Sequence, residues 1–305
     1  MNVRAVPSRL GSEHPSREAR KKGPHAGLKP RLALLTVLLK APGGIFGACV
    51  LIGLVALALL APHLAPYSPF AISQSIPLAA PSNAHPFGTD DLGRDVLTRV
   101  IFGARISLTV ASSSALMALA MALPLGLLAG YRGGTVDSVI TRLFDTVYAF
   151  PDILLGLGLV TILGANLQNI IFAVAVVNVP TLGRLTRVAV LAQRGEAYVE
   201  AARAVGASDA RIIARHLLPN VIPPLLVQVT VVMSQAILLE AAFSFLGLGI
   251  RPPAPSWGTM LNDGRNFLHQ APWLGIFPGL AITILILGLN SFGDALRVTL
   301  NPRRR

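Results

Sequence analysis

The sequence predicts an all-α, polytopic membrane protein with six transmembrane helices. Three observations carry this prediction. Hydrophobic residues make up 53% of the 305-residue chain and charged residues 13%, against about a quarter charged in soluble domains; mean hydropathy is +0.63. The apolar residues gather into runs of about 20, the helix length that crosses a hydrocarbon core roughly 30 Å thick. Lys and Arg are strongly biased toward alternate connecting segments.

Residues 1–42 are rich in Arg, Lys, Pro, Ser and Gly, and no apolar run begins before Leu32. They read as a disordered tail. The run RLALLTVLLK (Arg31–Lys40) is too short to span and is flanked by cations, so a short helix along the membrane surface is expected there. Its late start, without a convincing small-x-small site after it, argues against a cleaved signal peptide.

The first span is expected at 43–63. Cys49 lies in it, alone in the chain, so an intrachain disulfide is excluded; no Cys/His group has zinc spacing, and Cys49 reads as a small apolar filler. An extracytoplasmic loop then runs to 104. Further spans are expected at 105–130, 140–164, 167–190, 221–247 and 273–293. The fourth carries the weakest signal, because IIFAVAVVNVPTLG is short and holds Asn178 and Pro180. Pro124, Pro151, Pro180, Pro223, Pro224 and Pro278 fall in spans, where a bundle can satisfy the freed carbonyls. Small residues in GLGL (Gly156–Leu159) and FLGLG (Phe245–Gly249) predict close helix packing. Residues 105–297 form one transmembrane domain with a cytoplasmic loop at 196–218, and 298–305 is a basic cytoplasmic end.

Placing both termini in the cytoplasm puts 21 of the 26 Lys and Arg on that side and five on the other. This fixes the expected orientation of a multi-pass protein of the cytoplasmic (inner) membrane. The same distribution explains the net charge of +12. Nine of the cations precede residue 41 and most others lie in loops, so membrane lipid rather than nucleic acid is the expected contact.

Nothing in the chain groups as Ser/His/Asp or Cys/His, and GTDDLGRD (Gly88–Asp95) lacks the Gly-Lys-Ser/Thr of a phosphate loop. The expectation is a protein that is not an enzyme, with no cofactor or metal of its own. Asp90, Asp91 and Asp95 lack calcium-loop spacing and read as turn, cap and ion-pair residues beside Arg94 and Arg99. Three carboxylates fall in or at the edge of spans, where acids are costly and functional by default. Asp145 has Arg142 as its expected partner. Asp152 follows Pro151 as the cap of a broken helix. Glu240, after Ser234 and Gln235, is either a pathway residue that meets a peptide's ammonium or an acid that ties two helices together. Glu240, Gln235 and Asp152 are the translocation-pathway candidates.

Between the fourth and fifth spans runs EAYVEAARAVGASDARIIARHLLPN (Glu196–Asn220). Its first half is Ala-rich with Glu leading, which favours helix; Glu200 and Arg203 can pair weakly. Gly206 supplies a left-handed stop, Ser208 can cap the next helix, and Ile212, Ile213 and Leu217 share an apolar face opposite Arg211 and Arg215. The stretch EAARAVGASDARIIARHLLP resembles the EAA loop of ATP-binding-cassette importer permeases, matched at Glu200, Ala201, Ala202, Gly206, Ile212, Leu218 and Pro219. HPFGTDDLGRDVLTRVIFGARISL (His85–Leu108), RPPAPSWGTML (Arg251–Leu261) and the closing stretch Pro272–Pro302 are similar to the C-type permease subunits of oligopeptide and dipeptide importers. Nickel permeases of that branch share much of the pattern.

The resemblance implies a type I importer transmembrane fold and a peptide permease working by alternating access. Nickel import is the alternative within the family, and a secondary transporter the alternative outside it. It implies that Glu200, Ala201, Ala202, Arg203, Gly206, Ala207, Ile212, Leu218 and Pro219 couple to an ATPase. It also implies the partners: a second, B-type permease as heterodimer, two ATPase subunits that hold ATP and Mg, and an extracytoplasmic solute-binding protein.

Overall fold

The computed structural model describes residues 42–72 and 75–300. The expected tail and surface helix before Pro42, and the last five residues, lie outside them. The described residues form α1 (Pro42–Leu59), a turn of helix α2 (Ala61–Leu64), α3 (Val96–Arg132), α4 (Gly134–Tyr148), α5 (Asp152–Leu163), α6 (Leu167–Gln193), α7 (Ala197–Ala204), α8 (Asp209–Ile212), α9 (Leu218–Phe245), α10 (Trp257–Gly264) and α11 (Trp273–Leu300).

Four of these helical stretches are long and apolar enough to cross a membrane alone: α3, α6, α8 running on into α9, and α11. The third expected span is not one helix. It is the pair α4 and α5, bent by 88°, and it raises the count to five. The cause is Pro151, which has no N–H to donate and pushes the preceding residue out of helical geometry. Asp152 does not cap α5; it is the first helical residue, and its side chain makes no capping hydrogen bond. The first expected span, α1, has 18 residues and is shorter than the other four.

α3 begins nine residues before the expected start of its span. The Asp95 carboxylate accepts from the Thr98 N–H at 2.7 Å and caps it. Its 37 residues extend about 55 Å, well beyond the hydrocarbon core. α6, with the weakest sequence signal, is continuous and the most enclosed of the long helices. Asn178 is buried there and donates to the Val174 carbonyl at 2.9 Å, so what lowers its hydropathy is satisfied inside the bundle.

α3 and α6 lie side by side, and glycine sets their separation. A Cβ on Gly126 would stand 2.5 Å from Thr186 Cβ, and one on Gly130 2.7 Å from Val190 Cβ. α1 packs on α11 in the same manner, Gly47 against the Phe292 backbone. Gly156 sits under the Phe243 ring. Of the glycines for which close packing was expected, Gly156 and Gly249 meet neighbours, Phe243 and Ser244, whereas nothing lies within 4 Å of where a Cβ on Gly158 or Gly247 would stand.

The bundle has two unlike ends. One carries α7 and α8 with the ends of α3 and α6 and the starts of α4 and α9; Phe144, Leu182, Val199, Ile212, Leu217 and Leu225 share its core. α11 finishes at this end, where Arg297 and Leu300 line a pocket with Pro223 and Pro224 of α9, and α1 lies beside it with Gly47 against Phe292. The other end is closed by the 76–95 loop and α10. Trp257 Nε1 donates to the Val100 carbonyl at 2.9 Å and Trp273 Nε1 to the Thr89 carbonyl at 3.1 Å. Arg94 Nε donates to Asp90 Oδ2 at 2.6 Å, Arg99 stands 3.5 Å from the same oxygen, and His85 Nδ1 lies 2.9 Å from Asp95 Oδ1. The acids of this loop thus serve its turn, cap and ion pairs.

Candidate coupling loop and pathway residues

Residues 196–218 fold as the helix–Gly–helix elbow the sequence predicts. Gly206 adopts φ +80°. Its N–H bonds to the Arg203 carbonyl and the Ala207 N–H to the Ala202 carbonyl, both at 3.0 Å, so the last carbonyls of α7 are satisfied by a left-handed glycine turn. Nothing lies within 4 Å of where a Gly206 Cβ would stand; backbone conformation, not space, calls for glycine. The Ser208 hydroxyl does not cap α8. Glu200 and Arg203 are both exposed and form no ion pair among the described residues.

The elbow has two faces. Val199, Ala202, Ile212 and Leu217 are buried against the bundle, and Ile213 and Leu218 are half-buried. Burying them holds the elbow to its own chain. The other face carries Tyr198, Glu200, Ala201, Arg203, Arg211, Arg215 and Pro219, all exposed. At its tip Val205 is 85% exposed, with Gly206 beside it and Ala207 half-buried behind.

Polar contacts tie the elbow to three spans. Tyr131 Oη, at the end of α3, donates to Asp209 Oδ1 at 2.6 Å. Just ahead of the elbow, Arg194 Nη1 at the C-cap of α6 donates to the Gly130 carbonyl of α3 at 3.0 Å. Tyr198 Oη donates to Gln193 Oε1 at 2.6 Å and accepts from Asn220 Nδ2 at 3.3 Å. α8 runs into α9 through a π-helical turn, Ile213–Leu217, with no loop between elbow and span. The elbow is thus bonded to α3 and α6 and continuous with α9. Tyr131 and Arg194 escaped the sequence reading. Tyr131 at a span's polar edge is a weak signal, and nothing along the chain pairs it with a residue 78 positions away.

The pathway candidates are not brought together. Glu240 is 1% exposed; its Oε1 accepts from Ser244 Oγ at 2.8 Å and from Ser256 Oγ at 2.9 Å. Ser256 is the N-cap of α10, so Glu240 ties α9 to α10. Gln235 and Asp152 are exposed on α9 and α5. Asp145 pairs with Arg184 of α6 at 2.5 Å and not with Arg142, because the α4–α6 contact brings Arg184 alongside. Glu240→Gln keeps an oxygen that accepts both hydroxyls and is expected to hold stability within about 1 kcal/mol, whereas Glu240→Leu strands two buried donors and costs about 2–4 kcal/mol. Thermal unfolding of the detergent-solubilised protein checks both.

Residues 122–305 match the family model described as the binding-protein-dependent transport system inner membrane component. Residues 34–86 match the N-terminal TM domain of oligopeptide transport permease C. The chain is 45% identical over 261 residues to the dipeptide transport system permease protein DppC of Alkalihalophilus pseudofirmus, covering 86% of each chain. It is 41% identical over 251 residues to the glutathione transport system permease protein GsiD of Pectobacterium atrosepticum, covering 82% of this chain and 83% of that one. An inward-facing structure of the MetNI methionine ABC transporter superposes with a TM-score of 0.55 at 20% identity, over 67% of this chain and 96% of that chain. At that identity the likeness is one of fold.

Proposed function

We propose a function from one premise: the chain belongs to the family of binding-protein-dependent transport system inner membrane components. In this reading it is the C-type permease subunit of an ATP-driven importer of short peptides. The dipeptide and glutathione permeases among its relatives support the cargo class. α1, the bent pair α4–α5 and the four long helices make six crossings, with both termini in the cytoplasm. A B-type permease completes the pathway. Two ATPase subunits supply ATP and Mg chemistry, and an extracytoplasmic binding protein delivers cargo.

The observation that carries the reading is the two-faced elbow. Its oily face is used up on its own bundle, yet its tip holds an apolar Val205 that the described residues leave exposed beside a charged rim. Such a tip suits a cleft on a cytoplasmic subunit. Closure of the ATPase pair would move the tip; the Tyr131–Asp209 and Arg194–Gly130 bonds and the continuous α8–α9 path would pass that movement to the spans. A shift between inward and outward openings follows when two packings of the spans differ by a few kcal/mol.

Gentle solubilisation of the tagged chain is the test. The expected result is co-purification of an ATPase and, after reconstitution with the binding protein, uptake of labelled dipeptide only with ATP. Uptake by the chain alone down a proton gradient would sink the importer reading.

A further inference from the structure

A charged pair stands open on α4 and α6, inside the segments expected as the third and fourth spans. Arg184 Nη2 donates to Asp145 Oδ1 at 2.5 Å, and its guanidinium lies 4.4 Å from the centre of the Tyr148 ring. Tyr148 Oη is in turn hydrogen-bonded to Thr181 Oγ1 at 2.6 Å. Arg184 is nine residues from the end of α6, about 14 Å of helix. Yet the side chains of Arg184 and Asp145 are 44% and 57% exposed. Within a membrane span, exposed charges are costly against lipid and face water or protein instead.

A second pair near it behaves differently. Arg187 grips Asp137 through two nitrogens and two oxygens, and the two side chains are 29% and 18% exposed. That pair rivets α4 to α6. The Arg184–Asp145 contact is single, and among the described residues the Asp145 carboxylate has no other hydrogen-bond partner. A carboxylate can accept about four hydrogen bonds and a guanidinium donate five, so the described residues leave most of the capacity of both groups unused. Val188, one turn from Arg184 on α6, is 58% exposed.

We propose that Asp145 and Arg184 are a cargo-contacting pair on the translocation pathway, which parts to take the charged termini of a short peptide. This rests on the importer reading above. The peptide carboxylate replaces Asp145 on the guanidinium, its ammonium replaces Arg184 on the carboxylate, and the Tyr148 ring lies under the peptide as it passes. The chemistry selects zwitterions small enough to place both ends within one pair's reach.

The test uses the complete transporter in proteoliposomes. In a Cys49→Ser chain, Thr181→Cys marks the site without removing either charge. A membrane-impermeant charged thiol reagent is expected to label it, and saturating dipeptide with binding protein and ATP to slow the labelling several-fold. Arg184→Gln is expected to raise the half-saturating concentration of a free dipeptide about tenfold relative to the unsubstituted transporter, and that of its C-terminal amide much less. Co-purification of the ATPase verifies assembly. No labelling places the pair off the aqueous pathway, against lipid or protein, and overturns the proposal; labelling indifferent to peptide, or equal effects on free and amidated peptide, overturns it as well. Failure of the unsubstituted transporter to take up any peptide with ATP would instead remove the importer reading, whatever the labelling shows.

Discussion

Val205→Asp is expected to cut ATP-driven peptide uptake about thirtyfold or more while the chain still folds. Val205 is 85% exposed and adds nothing to this chain's core, so folding does not depend on it. In the proposed complex it is the apolar tip that enters the ATPase cleft. An anchor of this kind is worth about 2 kcal/mol or more when lost, which is roughly thirtyfold in affinity. A carboxylate buried there without a partner adds to the cost. The readouts are ATPase recovered on the tagged chain and the initial rate of labelled dipeptide uptake. Unchanged recovery and uptake would mean that the tip touches no partner, and the coupling role of the elbow would fall.

Trp257→Ala is expected to lower stability by about 3–5 kcal/mol, the usual cost of emptying a large buried aromatic site. Trp257 is fully buried. It stands where α10 meets α3, and its indole N–H binds the Val100 carbonyl. Removing it leaves a cavity between these two elements. Trp257→Phe restores the ring without the donor and should cost about 1 kcal/mol beyond the lost area. Thermal unfolding in detergent, run on both variants, separates packing from the hydrogen bond. If alanine were as stable as phenylalanine, the closure of this end would not depend on Trp257.

The elbow was legible because everything that shapes it is local. Alanines, a left-handed glycine and an apolar stripe at helical spacing act over a few residues, and they favour this helix–turn–helix before the bundle's packing completes it. Its fastenings were not legible. Asp209 looked like a first-turn acid and serves as the acceptor for Tyr131; Ser208 looked like a cap and is not one. A cap competes with whatever else the fold brings near, and the end of α3 arrives from far along the chain. Asp145 makes the same point, since Arg142 is its neighbour in sequence and Arg184 its neighbour in space.

Composition, the apolar runs and the bias of Lys and Arg by themselves determined an all-helical membrane protein and the place of its elbow, because burying apolar length and satisfying backbone polar groups in lipid leave few other solutions. Only the tertiary structure decided that the third span breaks at Pro151, that α6 is an enclosed helix despite Asn178, and that Glu240 is held inside while the Arg184–Asp145 pair is left open. The reason is physical: hydropathy records what a residue would prefer in bulk lipid or water, whereas its role depends on which neighbour the packing of distant helices supplies.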